Sequence, residues 1–210
     1  MGQKFSVIYE ATPNPNSMRF LVGQQIADET IQFDSPTQSA RSPIAQKLFG
    51  FPWAQAIMVG PQFITVTKQS WVDWQVIADP LASLIEEHLE RGEGILLDAK
   101  DFAGPENELE HIHGEDCSHD HGHSHADANQ IVAGDSDDIQ VIKKILLNDV
   151  RPAVQMDGGD IVFHKYESGR LFVKLKGACS GCPSSMITLK DGIEVRMKEA
   201  LPGLIEVISI

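Results

Sequence analysis

Three patterns of apolar and polar positions divide the 210-residue chain. From Lys4 to about Asp98 the apolar residues come in short alternating runs. Phe5-Ser6-Val7-Ile8-Tyr9 and Met18-Arg19-Phe20-Leu21-Val22 predict strands on either side of the turn-rich Thr12-Pro13-Asn14-Pro15-Asn16. Ser42-Pro43 predicts the start of a short helix through Leu48-Phe49. Ala56-Ile57-Met58-Val59 and Phe63-Ile64-Thr65-Val66-Thr67 predict a hairpin across Gly60-Pro61-Gln62. Leu81, Leu84, Ile85, His88 and Leu89 then share one face of a longer helix.

Beyond about Ala99 the periodicity stops. The stretch to Asp135 holds Glu110-His111-Ile112-His113 and His119-Asp120-His121-Gly122-His123-Ser124-His125, and predicts a disordered His- and acid-rich linker over 99–135. At 136 the pattern returns. Asp135 or Ser136 can cap a helix with Ile139, Ile142, Leu146 and Val150 on one face, which Pro152 ends or kinks. Met156-Asp157-Gly158-Gly159-Asp160 predicts a turn, and Ile161–Tyr166 and Leu171–Lys176 a hairpin across Glu167-Ser168-Gly169-Arg170. Met186, Leu189, Ile193, Met197 and Leu201 mark a second amphipathic helix, followed by a last strand, Leu204–Ile208. The predicted fold class is α+β: two small α+β domains, 4–98 and 136–210, joined by the linker. The second has the order α-β-β-α-β, with both helices on one face of a small sheet.

Charge changes this picture in one respect. Of the formal net charge of −13, the stretch from Asp98 to Asp138 carries −11, from twelve acidic residues against Lys100 alone. The rest is nearly neutral and has no basic stripe, so no nucleic acid is expected as a partner, since phosphate contacts need Lys and Arg. No run approaches the roughly 18 apolar residues of a transmembrane helix, so no membrane partner is expected either. Residues 1–10 lack the patterns of a signal or transit peptide. The bare myristoylation match of Gly2 and Ser6 falls on a strand-like run with no basic cluster nearby. A mature mitochondrial form with its transit peptide removed would look similar, but Met1-Gly2 reads as the start of a complete bacterial-type chain, and the expected location is cytoplasmic.

The candidate chemistry lies in Gly177-Ala178-Cys179-Ser180-Gly181-Cys182-Pro183. Three cysteines, two of them in a CxxC, make no disulfide framework. Cys179 falls in the loop after a strand, and Cys182 lies close to the N-cap of a helix with Pro183 in its first turn. Unpaired N–H groups and the positive end of the helix should lower a thiol pKa there. Gly177 and Gly181 let the loop fold tightly, and Lys174 or Lys176 could face an anionic group. Two thiolates cannot close a four-thiolate site alone. Two subunits could pool their loops around one [4Fe–4S] cluster, or form a zinc-bridged dimer. The pair could also serve a thiol–disulfide oxidoreductase. A redox pair should sit near a βαβ pattern, and here the motif follows a hairpin, which counts against that reading. Two idle cysteines would leave the flanking glycines and Pro183 without a reason.

Three motifs in order, Val150-Arg151-Pro152-Ala153, Met156-Asp157-Gly158-Gly159-Asp160 and Gly177 through Pro183, resemble the C-terminal domain of the NifU/Nfu iron–sulfur scaffold proteins. The resemblance spans roughly Asp137 to Ile210 and includes Ser184 and Thr188-Leu189-Lys190. The front domain resembles the Nfu N-terminal domain through Thr12-Pro13-Asn14-Pro15-Asn16-Ser17-Met18-Arg19-Phe20 and Phe63-Ile64-Thr65-Val66-Thr67-Lys68. The resemblance implies a scaffold and carrier rather than an enzyme. Such a protein binds a labile [4Fe–4S] cluster as a homodimer and transfers it to apo-proteins. Its implied partners are apo iron–sulfur clients and an upstream cluster scaffold. Carried over by position, Cys179 and Cys182 are the cluster and metal ligands, and there is no catalytic residue. The His- and acid-rich insertion departs from the family pattern.

The remaining candidates have simpler readings. Cys117 beside Asp116 and His119 reads as an exposed thiol; the sharper alternative joins it to His119, His121, His123 and His125 in a loose metal site. Asp157 and Asp160 read as turn residues rather than as a cation site. His88 and His164 read as structural, and Trp53, Trp71 and Trp74 as core or half-buried. No Ser-His-Asp arrangement, phosphate loop or HExxH motif supports a hydrolase or NTPase.

Overall fold

The computed structural model describes residues 5–97, 128–180 and 183–210, the last stretch with its side chains from Lys190 onward. It has two small α+β domains. Residues 98–127, which include most of the expected linker, lie outside the described residues.

In the N-terminal domain five antiparallel strands stand in the order β1-β2-β5-β4-β3. They are β1 (Ile8–Ala11), β2 (Ser17–Leu21), β3 (Ile31–Phe33), β4 (Ala54–Val59) and β5 (Phe63–Lys68). Strand alternation puts Met18, Phe20, Ile57, Val59, Ile64 and Val66 into one core with Ile44 and Leu48 of helix α1 (Pro43–Phe49) and Leu81 and Ile85 of α2 (Trp74–Glu90). Ser42 caps α1: its hydroxyl accepts from the Ala45 N–H (3.3 Å) and donates to the Ile95 carbonyl (2.8 Å). Register sets Glu10, Arg19, Thr65, Met58 and Gln32 in one row across all five strands, on the face opposite that core.

Three details differ from the expectation. The first strand begins at Ile8 rather than Phe5. Ile31–Phe33 adds an edge strand too short to leave a period-two signal. Trp53 is buried and Trp74 half-buried, its indole N–H donating to the Pro15 carbonyl (3.0 Å). Trp71, however, is 70% exposed, because it occupies the turn between β5 and α2.

In the C-terminal domain Ser136 caps α3 (Asp137–Ile145) by accepting from the Ile139 N–H (3.4 Å). Pro152 does not end this helix. A wide π-turn over Leu146–Val150 leads into α4 (Arg151–Met156), whose first turn holds Pro152 where no N–H is needed. Ile142, Leu146, Val150 and Val154 form the buried face of the run. Strands β6 (Gly159–Glu167) and β7 (Arg170–Gly177) pair across Ser168 (φ 51°) and Gly169 (φ 73°), the left-handed pair that a two-residue hairpin turn favours. Asn129, on the linker side of the expected boundary at 136, is fully buried against the edge of β6. Its amide donates to the Ile161 carbonyl and accepts from the Phe163 N–H, both at 2.7 Å.

Helix α5 (Pro183–Ala200) carries the chain back, and β8 (Glu206–Ser209) joins the sheet parallel to β7. The motif at 179–182 therefore lies on a β7-α5-β8 crossover, a βαβ unit. Its setting does not count against a redox pair, contrary to the sequence reading. A four-residue strand carries no mark of its direction, so only the fold could show this. Ile193, Met197 and Leu201 of the predicted apolar face are buried; Met186 and Leu189 fall where side chains are not described.

Candidate functional site

Gly159 and Gly177 are register partners, so β6 and β7 bring the Asp-Gly-Gly-Asp turn and the cysteine loop side by side. Helix α4 stops at Gly158, left-handed at φ +75°, whose N–H donates to the Gln155 carbonyl (3.0 Å). Gly177, at φ +64°, turns the chain out of β7. The Ala178 N–H then donates to the Gly158 carbonyl (3.1 Å), and Ser180 closes the loop onto the Gly177 carbonyl with its N–H (3.0 Å) and hydroxyl (2.8 Å). Cys179 is thereby seated in the domain core at 5% exposure. Its sulfur occupies the space a side chain at Gly159 would need. A Cβ there would stand 2.5 Å from Cys179 Sγ and 3.0 Å from the Lys176 carbonyl. The glycine is a cradle for the thiol.

A buried ion pair braces the cradle. Asp160, wholly buried, accepts from Arg151 through both oxygens, at 2.7 Å from Nε and 3.0 Å from Nη2. The Ile161 N–H adds a third bond to the same carboxylate (2.9 Å). Such a bidentate pair fixes angle as well as distance, and here it ties α4 to β6. The Arg-Pro and Asp-Gly-Gly-Asp motifs are thus one structure. Asp157 is exposed at the end of α4, whereas Asp160 is wholly buried in its pair with Arg151. Sequence reasoning missed the pairing of Arg151 with Asp160. The available signal was an Arg and an Asp within motifs otherwise rich in glycine and apolar residues.

Of the two expected ligands the structure thus positions Cys179. Cys182 lies outside the described residues, next in sequence to Pro183, where α5 begins. Cys117 and the histidines at 111, 113, 119, 121, 123 and 125 also lie outside them. Among the described residues no group of three or more His, Cys, Asp or Glu side chains could hold a metal ion, and no helix is long and apolar enough to cross a membrane. Lys174 is exposed and Lys176 half-buried. His164 is exposed at an irregularity in β6. His88 is buried in the last turn of α2, its Nε2 3.3 Å from the Gly94 carbonyl. Its Nδ1 lies 3.3 Å from Glu93 Oε2, without the alignment of a hydrogen bond.

Comparison with known proteins bears on the same two regions. Residues 7–92 match the family model for the scaffold protein Nfu/NifU N terminal, and residues 142–208 match that of the NifU-like domain. The chain is 33% identical over 193 residues to the mitochondrial NFU1 iron–sulfur cluster scaffold homolog of Drosophila persimilis, covering 91% of this chain and 60% of that protein. It therefore spans less than two thirds of the length of that relative. It is also 33% identical over 206 residues to a NifU-like protein of Schizosaccharomyces pombe, covering 96% of this chain and 71% of that one. The solution structure of a NifU-like protein from Saccharomyces cerevisiae is 26% identical, with a TM-score of 0.40, over 45% of this chain and 87% of that one.

Proposed function

Since the chain belongs to the Nfu/NifU family of iron–sulfur scaffold proteins, we propose that it carries a labile [4Fe–4S] cluster between two copies of itself, held by Cys179 and Cys182, and hands it to apo-proteins. The observation that carries this reading is the glycine cradle around Cys179. A thiol has been given a fixed seat where backbone approaches it closely, on a loop next to a helix start. A [4Fe–4S] cluster takes four thiolates, and the motif supplies two, so two copies complete the set. Ligands on one short loop per subunit suit a cargo that has to leave again. The chain then acts stoichiometrically and turns over no substrate. Its partners are apo iron–sulfur clients and an upstream scaffold.

A second reading has one observation in its favour: the β7-α5-β8 crossover is the setting in which a CxxC redox pair works. A zinc-bridged dimer would use the same four thiols. Anaerobic reconstitution with iron and sulfide separates the three. The scaffold reading expects about four iron and four sulfide per dimer. It also expects a Cys179→Ser, Cys182→Ser variant that folds but takes up no cluster. Retained zinc in place of iron, or disulfide exchange by an apo monomer that takes up no cluster, would overturn it.

A further inference from the structure

The two motifs of the N-terminal domain have no part in the chemistry above, yet each contributes a residue to the row Glu10–Arg19–Thr65–Met58–Gln32. That row faces away from its own domain's core, and the cysteine loop sits on it. The Thr65 hydroxyl donates to the Gly158 carbonyl (2.9 Å), the same carbonyl that receives the Ala178 N–H. Arg19, ion-paired with Glu10 (2.6 Å), donates from Nη1 to the Gln155 carbonyl (2.7 Å). Gln32 Oε1 accepts the N–H of Gly177 (2.5 Å). Between them Met58 lies so close that a Cβ on Gly177 would stand 2.5 Å from its methyl carbon. Thr12 guards the other side, its methyl 2.9 Å from where a Cβ on Gly158 would be.

Burial gives the same picture. Met58 and Thr65 are each 1% exposed although they point away from the core of their own domain. Met58 belongs to neither apolar core, and what covers it is the turn out of β7. The partners on the cysteine side are backbone groups of Gln155, Gly158 and Gly177, the residues that shape the cradle.

We propose that the open face of the N-terminal sheet is a docking surface for this chain's own cysteine loop, and that the N-terminal domain is a removable cap on it. This rests on the reading of Cys179 and Cys182 as the ligands that two copies share. In the docked form the sheet occupies the space against Gly177, and Cys179 is turned into its own core. A second copy's loop cannot meet it there until the cap lifts. Among the described residues the contact is carried by three hydrogen bonds and by the side chains of Met58 and Thr12, a polar make-up like that of domain interfaces that open.

The test uses the full-length apo chain. Met58→Glu puts a carboxylate against Gly177, where closure would bury it unpaired. Hydrogen exchange at the Gly177 amide, which donates to Gln32 Oε1 across the contact, should then run roughly tenfold faster or more. The radius of gyration from X-ray scattering should rise, cluster uptake should quicken, and tryptophan emission should stay native. Thr65→Val combined with Arg19→Ala removes two of the hydrogen bonds without adding charge and should move all three readouts the same way by less. That pair keeps the test open if Met58→Glu fails to fold. Equal Gly177 exchange and equal radii in the wild type and the variants would overturn the cap. If exchange and radius change but no protein takes up a cluster, the docking surface stands and the scaffold reading falls.

Discussion

The N-terminal domain keeps its core and its chemistry apart, and the C-terminal domain does not. In the first, Phe20, Phe33, Ile44, Leu48, Ile57 and Ile64 are wholly buried between a five-stranded sheet and two helices, and the hydrogen bonds to the cysteine-loop region lie on the other face. In the second, three strands support a core that contains the Cys179 thiol and borders the buried Arg151–Asp160 pair. A small domain that spends interior positions on a thiol and an ion pair has less apolar burial to rely on. Its stability then hangs on a few polar contacts at the site itself. The two domains should therefore respond very differently to single changes, and the chain has a built-in way to see it. All three tryptophans, Trp53, Trp71 and Trp74, are in the N-terminal domain. Tryptophan emission follows that domain alone, whereas far-UV circular dichroism follows both.

The largest effect is expected from Asp160→Asn. It keeps the shape but removes the carboxylate charge that accepts from the Arg151 guanidinium through both oxygens. Breaking a buried pair in this way costs about 3–5 kcal/mol. In urea, the dichroism transition of the C-terminal domain should move to much lower denaturant while the tryptophan transition stays in place. Movement of both together would mean that the domains unfold as one unit, and the contrast between them would collapse.

That pair also marks where the sequence stopped being legible. The hairpin across Gly60-Pro61-Gln62, the Ser42 cap and the buried face Ile142-Leu146-Val150 were readable because each is local: a turn, a hydroxyl before a helix, a helical repeat. The cysteine loop was readable as chemistry for the same reason, two thiols three positions apart. Its surroundings were not. That Gly159 is a seat for the Cys179 sulfur depends on the register of β6 against β7. That the loop lies on a βαβ crossover depends on the direction of β8. That Arg19 and Thr65 face the other domain depends on a row drawn across five strands. Each is a relation between residues far apart in the chain, and periodicity carries none of them.

A smaller effect sharpens the contrast from the other side. Ser42→Ala removes the cap of α1 and leaves the half-buried Ile95 carbonyl without its donor. Loss of a cap and of one part-buried hydrogen bond together should cost roughly 1–2 kcal/mol. Here the tryptophan transition should move and the dichroism signal of the C-terminal domain should not. Uptake of iron and sulfide by the loop should be unchanged, since nothing in the cradle touches α1.

The smallest expected effect is one of pH, and it too belongs to a single domain. Burial disfavours the charged imidazole of His88, and nearby Lys47 repels it; together they outweigh the Gly94 carbonyl and Glu93, and the pKa lies below the ordinary 6.5. Glu93 stays ionised, its own pKa held down chiefly by the hydrogen bond from Lys47 (2.6 Å). As pH falls through 6.5 the unfolded chain takes up a proton at this histidine before the folded chain does. Stability from the neutral ring is therefore complete above that value and is lost progressively as the pH drops toward the folded-state pKa. The urea midpoint seen by tryptophan emission should decline over that window in the wild type. In His88→Leu, which fills the same buried position without titrating, the decline should be flatter. An unchanged slope in His88→Leu would assign the pH sensitivity to the surface carboxylates of the domain instead of to its core.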